Sequence, residues 1–306
     1  MTPGPAPQRW LRRAARLLLG LAFSSAAQAA SLRYCDPPPS LTAAQQDRLL
    51  RFAAIVRDEL EGSLQRVALV SRSGLDLSRF AQRYSHAGVS LKASANTPWS
   101  VRQLYFSCEE QVPRLYDQGL AGFVQGTSDP ELGFVSVLLL PAADAETLEQ
   151  AALDNARALQ LLGAAYSANA YAFALRYQNC NQWLAELLAE AWGERSNGST
   201  APRERAQSWL KDQGYRPTVF EVGWMLGLTA FVPWLHQDDH PAEDLAQARL
   251  QVSMPAAIEA FVRATRPAAR RLEFCHDGRR VVIHQGWEPI ADGCVAGAQD
   301  RVVPLR

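Results

Sequence analysis

Apolar positions recur along the chain with two different periods, which together predict a protein of both helices and strands. Thr42 and Gln45 form a capping box, and the apolar stripe that follows it indicates a long amphipathic helix. Further helices are predicted over 145–162, from Asn179 to Gly193, over 203–213 and over 256–264. Strands are predicted over 67–71, 85–91, 99–106 and 134–140. The expected fold class is α+β.

The C-terminal third begins with a polar loop at 196–202, which indicates a boundary between subdomains. A hairpin that turns at Asp277 and Gly278 is expected near the end, with strands over 271–275 and 281–284. We therefore predict three parts of the chain, namely a signal peptide over 1–29, a core domain over 30–195 and an extension packed on the core over 196–306.

The first thirty residues have the pattern of a cleavable secretory signal peptide. Four arginines between positions 9 and 16 precede an apolar run over 17–23, which is too short to span a bilayer. Ala27-Gln28-Ala29 then offers small residues to a signal peptidase, and cleavage is expected after Ala29. No later apolar stretch reaches membrane-spanning length. We expect a periplasmic or secreted protein without a membrane span after cleavage.

The composition describes an ordinary globular protein and argues against one class of partner. Hydrophobic residues make up 48% of the 306 residues and charged residues 20%, and the formal net charge is zero. No cluster of Lys and Arg with interleaved aromatic residues occurs, so nucleic acid is not expected as a partner.

The chain has five cysteines, and the expected export favours disulfide bonds between them. In an oxidising compartment thiols tend to pair, and an odd number leaves at least one unpaired. We predict a Cys275–Cys294 bridge within the short C-terminal segment, and a Cys35–Cys108 bridge. Cys180 then remains as a free thiol.

Two local features suggest chemistry. His86 lies at the start of a predicted strand, and Gly88 two residues later allows close approach of another backbone. Cys180 follows Asn179, a favourable N-cap residue, so its thiol is expected at the N-terminus of a helix. The unpaired amides and the dipole of a helix stabilise a thiolate there, and the Cys180 N–H can point toward an oxyanion.

A strand His followed by Gly, and a much later Asn-Cys at a helix start, resemble the circularly permuted branch of the NlpC-type papain-like fold. That branch includes the lecithin:retinol acyltransferase group, and in it the His strand precedes the Cys helix, as His86 precedes Cys180. The wider chain, including Arg33-Tyr34-Cys35-Asp36 and Tyr177-Gln178-Asn179-Cys180, is similar to an uncharacterised bacterial family, the domain of unknown function 2145. The resemblance implies a permuted papain-like core with an antiparallel sheet packed on helices, plus a C-terminal helical and hairpin extension.

The resemblance also implies an activity, which is that of an exported thiol hydrolase or acyltransferase acting on an amide or ester carbonyl. Cys180 is then the nucleophile and His86 takes its proton, while Asn179 and Gln182 support the oxyanion region. In the periplasm a peptide, such as a cell-wall fragment, is the substrate to expect, although no residue selects it.

A third residue must accept a hydrogen bond from the imidazole. Arg102 cannot, because a guanidinium has no acceptor, so we choose Gln103, with Asn96 as a second candidate. The acyltransferase group has Glu and His where this chain has Asn181 and Gln182. This departure puts lipid acyl transfer in doubt.

Other interpretations stay open. A non-catalytic envelope binding or assembly module would keep the papain-like shape without the reaction. His284, followed by Gly286, is an alternative partner for Cys180 in the unpermuted order. His236 and His240 would ligate a metal if they lay on one helix, but Pro241 follows at once, and we predict neither a metal site nor a cofactor.

Overall fold

An eight-stranded antiparallel sheet organises the computed structural model, which describes residues 40–193 and 201–305. The strands of the described residues are β1 (Val67–Arg72), β2 (His86–Leu91), β3 (Ser100–Ser107), β4 (Val112–Gln118), β5 (Gly133–Leu139), β6 (Thr218–Glu221), β7 (Arg249–Val252), β8 (Arg270–His276), β9 (Arg280–Gln285) and β10 (Arg301–Pro304). The α-helices there are α1 (Ala43–Gly62), α2 (Leu120–Gln125), α3 (Ala142–Leu153), α4 (Asn155–Gln160), α5 (Cys180–Trp192), α6 (Pro202–Asp212), α7 (Ala242–Ala246) and α8 (Pro255–Thr265). Two 3-10 helices cover Ser78–Phe80 and Gly223–Phe231.

The order of strands in the large sheet is β10-β9-β8-β5-β1-β2-β3-β4, and β6 pairs separately with β7. The sheet therefore joins early and late parts of the chain, because β5 lies between β1 and β8. The predicted α+β class, with an antiparallel sheet and packed helices, is confirmed.

Helices cover both faces of this sheet, and strand alternation decides which side chains each helix meets. On one face, α1 and α2 pack over an apolar cluster that includes Ala68, Val70 and Val101. Arg102 points to the other face, where it donates a hydrogen bond to the carbonyl of Ala152 at the end of α3. α5 lies on that second face as well, in contact with α3, β2 and β3.

A buried ionic network fixes α5 from its far side. Glu186 of α5 is fully buried and accepts hydrogen bonds from Arg203 Nε at 2.8 Å and from Gln207 Nε2 at 2.8 Å, both on α6. Gln178 Nε2, just before α5, donates to the same carboxylate at 2.6 Å. Burial raises the pKa of Glu186, and the positive charge of Arg203 acts against that rise. The network joins α5 to α6 and to the segment that precedes α5.

The single helix predicted over 145–162 is wrong, because the segment forms two helices. Asp154 ends α3 in an extended conformation, and its carboxylate accepts hydrogen bonds from the N–H groups of Ala156 and Arg157, which begins α4. Asp is a favourable N-cap residue, and this local signal overrides the continuous apolar stripe. The other predicted helices and strands are present with shifts of one or a few residues at their ends.

The predicted Cys275–Cys294 disulfide is present, which fits an oxidising compartment outside the cytoplasm. Cys180 is a free, buried thiol. The predicted signal peptide, Cys35 of the predicted Cys35–Cys108 bridge and the predicted boundary after residue 195 lie outside the described residues. Among the helices that the structure describes, none has both the length and the apolar character needed to cross a membrane.

Candidate functional site

The candidate site lies at the end of the sheet where β1 finishes and β2 begins. His86 is the first residue of β2, and its Cα is paired with that of Arg72, the last residue of β1. The imidazole is buried, with its ring centroid 4.8 Å from that of Tyr105 and 6.0 Å from that of Phe123 on α2. The strand ladder and these two rings fix the position of the histidine side chain.

Gln103 on β3 makes the hydrogen bond expected of a third site residue. Its Oε1 lies 2.6 Å from His86 Nε2, and its own Nε2 donates to Gln118 Oε1 at 2.8 Å. Because the amide nitrogen of Gln103 is engaged by Gln118, its oxygen faces the histidine and accepts. Nε2 of His86 therefore carries the proton, and Nδ1 is left with a free lone pair. Gln103 is fully buried, so the bond is shielded from water.

Cys180 is the first residue of α5, as predicted. The side chain of Asn179 caps this helix by accepting from Gln182 N at 2.7 Å. Gln182 Nε2 in turn donates to the carbonyl of Ala174 at 3.2 Å, which ties the first turn to the preceding loop. Asn181 Nδ2 donates to the carbonyl of Ser85 at 3.2 Å, next to His86 in the sequence. The helix start is thus anchored at the same end of the sheet as the imidazole.

The thiol and the imidazole approach this end of the sheet from different sides. Alternation along β2 directs His86 to the face covered by α2, whereas α5 lies beside α3 on the other face. No hydrogen bond joins Cys180 to His86 in the part of the chain that the structure describes. β2 pairs with β3 only from Val89 to Leu91, so the two strands are not hydrogen-bonded to each other beside His86.

Burial keeps both groups neutral near pH 7. It raises the pKa of the Cys180 thiol to about 12, although the backbone N–H of Asn181 and the positive charge of Arg72 act in the opposite direction. Burial also lowers the pKa of His86 to about 3, helped by Arg72 and opposed by the hydrogen bond to Gln103. The resting site therefore holds a thiol and a neutral imidazole, and not a preformed ion pair.

A cleft of about 780 Å³ opens beside this end of the sheet. Its walls come from the loop after β1 and the loop before β5, and they include Gly74, Leu77, Arg83, Asp129 and Phe134. Neither Cys180 nor His86 lines this cleft. Gly74 connects it to the site, because a side chain there would meet both Arg72 and Ser85.

The structure places the other sequence candidates away from this site. Asn96 donates to the carbonyl of Asp117 at 2.8 Å from its loop. His284 lies on β9, which is separated from β2 by the three strands β8, β5 and β1, and its Nδ1 is 2.6 Å from Asp300 Oδ1.

The two histidines considered for a metal site have other contacts. His236 stacks on Tyr177 with ring centroids 4.3 Å apart, and His240 Nε2 is 2.8 Å from the carbonyl oxygen of Asn169. Within residues 40–193 and 201–305, no group of three or more His, Cys, Asp or Glu side chains is arranged to hold a metal ion.

Sequence reasoning missed Arg72, Tyr105 and Gln118, which complete the surroundings of His86. Arg72 ends an apolar strand, and an arginine in that position is normally taken to reach solvent. No local pattern reveals that it turns inward. Its place beside His86 follows from the pairing of β1 with β2, and its guanidinium is enclosed by Gly74 and Gly126.

One family has a sequence model that matches this chain, and the match covers residues 59–262, more than half of the chain. The description of that family is "Uncharacterized protein conserved in bacteria (DUF2145)". The chain belongs to this family. The part matched to DUF2145 contains Arg72, His86, Gln103 and Cys180, but neither cysteine of the Cys275–Cys294 disulfide. No curated protein and no solved structure matches the chain.

Proposed function

We propose that this chain is an exported thiol hydrolase or acyltransferase that attacks an amide or ester carbonyl, with Cys180 as nucleophile and His86 as its base. A permuted papain-like core of the NlpC type is the fold that belongs with this chemistry. The disulfide and the sequence of the first thirty residues favour a periplasmic or secreted location. A peptide amide, such as that of a cell-wall fragment, is the substrate class to test first.

The observation that carries the proposal is the hydrogen bond from His86 Nε2 to Gln103 Oε1 at 2.6 Å. It fixes the tautomer in which Nδ1 can accept a proton, at the end of the sheet where a free thiol begins a capped helix. A base oriented by a third residue is what nucleophilic catalysis by a thiol requires. β2 and β3 are not paired beside His86, and we propose that the sulfur reaches the ring there.

The proposed reaction proceeds in two stages. The sulfur of Cys180 forms a bond to the carbonyl carbon, its proton passes to His86 Nδ1, and the carbonyl π electrons move to oxygen. The tetrahedral intermediate collapses, the bond to the leaving group breaks, and the leaving group takes the proton from the imidazolium. Water or another acceptor then attacks the thioester, His86 takes its proton, and that proton returns to sulfur as the acyl group leaves.

The neutral resting state sets the timing of proton transfer. Because the pKa of the thiol is about 12 and that of the imidazole about 3, proton transfer is unfavourable in the resting site, and we propose that sulfur loses its proton only as it attacks. The N–H groups of Cys180 and Asn181, which lower the pKa of the thiol, are the donors available to the developing negative charge.

A second candidate function is that of a non-catalytic envelope binding or assembly module. It is favoured by the burial of Cys180, which is 7% exposed, and by the approach of the thiol and imidazole from different faces of the sheet. In this case Cys180 is a small packing residue, and the hydrogen bond between Gln103 and His86 has a structural role only.

The test is formation of a covalent acyl adduct on Cys180. The folded protein is incubated with p-nitrophenyl acetate and with a peptide thioester, and intact mass and peptide mapping locate the adduct. We expect an adduct on Cys180, none in Cys180→Ala, and at least ~100-fold slower formation in His86→Gln. His284→Asn is the matched control and should acylate at the wild-type rate.

The results separate the candidates. Equal acylation rates in His86→Gln and wild type would show that His86 is not the base. Loss of acylation in His284→Asn would instead support His284 as the partner of Cys180. Folded protein that forms no adduct with either reagent supports the binding module. Thermal melting of each variant confirms that the compared proteins are folded.

A further inference from the structure

Arg72 is buried without an acidic partner in the described residues. Arg72 is only 6% exposed, and its Nε is buried and has no hydrogen-bond partner. The guanidinium donates to neutral oxygens only, namely the carbonyls of Ser73 and Gly126 and the hydroxyl of Tyr105, the last at 2.7 Å. A buried positive charge with no anion nearby is costly.

Other buried arginines that the structure describes do have carboxylate partners. Arg203 pairs with Glu186 at 2.8 Å, and Arg271 pairs with Glu259 at 3.0 Å. The half-buried Arg102, two strands from Arg72 in the same sheet, also pairs with a carboxylate, that of Asp117 at 2.6 Å. Arg72 therefore departs from the way this protein otherwise buries a guanidinium.

The space around Arg72 is shaped for the guanidinium. A Cβ added at Gly74 would collide with Nη1, and one added at Gly126 would collide with Nη2. The guanidinium carbon lies 5.4 Å from the ring centroid of Phe123, which adds a cation–π contact. Two glycines and an aromatic ring thus hold the charge in one place.

That place adjoins the candidate reactive pair. Arg72 is the strand partner of His86, and Tyr105 touches both, with its ring against the imidazole and its hydroxyl on the guanidinium. Gly74 is also next to Ser85, whose carbonyl holds Asn181 in the first turn of α5. The charge of Arg72 favours the thiolate of Cys180 and disfavours protonation of His86.

We infer that Arg72 is the electrostatic positioning residue of this site, and that its missing counter-charge is the negative charge that forms on the Cys180 sulfur and on the carbonyl oxygen during attack. This inference rests on the proposed function. Arg72 lowers the free energy of the anionic sulfur, whereas its charge disfavours the imidazolium that forms when His86 takes the proton. Of the groups around Arg72, His86 is neutral near pH 7, because burial lowers its pKa to about 3.

The experiment measures the rate of Cys180 alkylation by iodoacetamide between pH 7 and 10, by mass spectrometry. Thiolate is the reacting species, so the rate at each pH reports its population. We expect Arg72→Met to react about tenfold more slowly than wild type at each pH, and Arg72→Lys to retain most of the rate. Arg102→Met is the matched control, since it removes a half-buried arginine from the same sheet and should leave the thiol rate unchanged.

The sign of the effect excludes a purely structural role. If access to the thiol governed alkylation, a destabilised Arg72→Met would react faster than wild type, and that result would overturn the inference. So would an equal fall in Arg102→Met. If Arg72→Met does not fold, Tyr105→Phe removes only the hydroxyl that holds Nη2 and should give a smaller slowing.

Failure of the inference and failure of the proposed function give different results. Unchanged alkylation in Arg72→Met means that the inference is wrong, whether or not the wild-type protein forms an acyl adduct. If Arg72→Met is alkylated more slowly but the wild-type protein forms no acyl adduct, the inference that Arg72 stabilises the thiolate is supported. The proposed hydrolase function is then wrong.

Discussion

At the scale of single residues, the hydrogen-bonding capacity of a side chain decides which residue can orient His86. Gln103 could be chosen from the sequence because a guanidinium cannot accept a hydrogen bond, and Arg102 donates to Asp117 instead. Arg72 could not be chosen, since its environment is created by loops that are distant in sequence. The chemistry of one side chain is readable from the sequence, whereas its surroundings depend on the fold.

Replacing Gln103 tests whether it orients the histidine. Gln103→Leu should reduce the free energy of unfolding by about 1–3 kcal/mol, because His86 Nε2 and Gln118 Oε1 lose their partner in a buried site. It should also slow acylation of Cys180. Urea unfolding and the acylation assay measure the two effects. Gln118→Leu is the control, since it should lower stability while His86 keeps its acceptor; equal acylation in both variants would contradict an orienting role.

At the scale of elements, the boundaries of helices follow from caps more than from apolar stripes. The beginning of α1 was predicted from Thr42 and Gln45, and the capping box is present. The break at Asp154 was missed because its cap lies inside a continuous stripe. The cap at Asn179 was predicted, but its anchors at Ala174 and Ser85 depend on tertiary contacts.

The cap of α5 gives a prediction at this scale. Asn179→Ala should lower stability by about 1 kcal/mol, because the N–H of Gln182 loses its acceptor. Asn179→Asp should also lose stability, because it turns a buried carboxylate oxygen toward the carbonyls of Ala168 and Ser253. The measurement is the free energy of urea unfolding. Asp154→Ala, at the cap of α4, should lose a similar amount while acylation stays at the wild-type rate. A stable Asn179→Ala would show that the cap contributes little.

At the scale of the whole molecule, the fold class was predictable and the strand order was not. Six of the eight strands of the central sheet have a local apolar pattern that predicts them, but no local pattern shows that β5 pairs with β8. β4, β6, β7 and β10 were not predicted, since they are short or carry mixed polar residues. Pairing between distant segments is decided by packing of the complete chain.

Two buried histidines make the stability of the whole molecule depend on pH. Burial lowers the pKa of His86 to about 3 and that of His276 to about 4, from an ordinary value of 6.5. Between the folded pKa of each histidine and 6.5, the unfolded chain therefore binds more protons than the folded one. The free energy of unfolding should fall as the pH drops below about 6.5. Each histidine contributes a slope of at most about 1.4 kcal/mol per pH unit.

Urea unfolding between pH 7.5 and pH 4.5 measures this loss. His276 packs its ring against Phe52, with centroids 4.7 Å apart, and neither of its ring nitrogens has a hydrogen-bond partner. His276→Phe should consequently reduce the slope at acidic pH. A constant free energy of unfolding from pH 7 to pH 5 in the wild-type protein would contradict the expected proton uptake.

The position of β5 between β1 and β8 has a consequence for biosynthesis. A ribosome delivers β5 long before β8, so one edge of a strongly apolar strand stays open while more than a hundred further residues emerge. Closure of the sheet must wait for the last segments of the chain, and loop closure over such a distance is slow. The nascent chain therefore needs to stay unfolded, or be held by chaperones, until β8 has emerged, and truncations before residue 276 should aggregate.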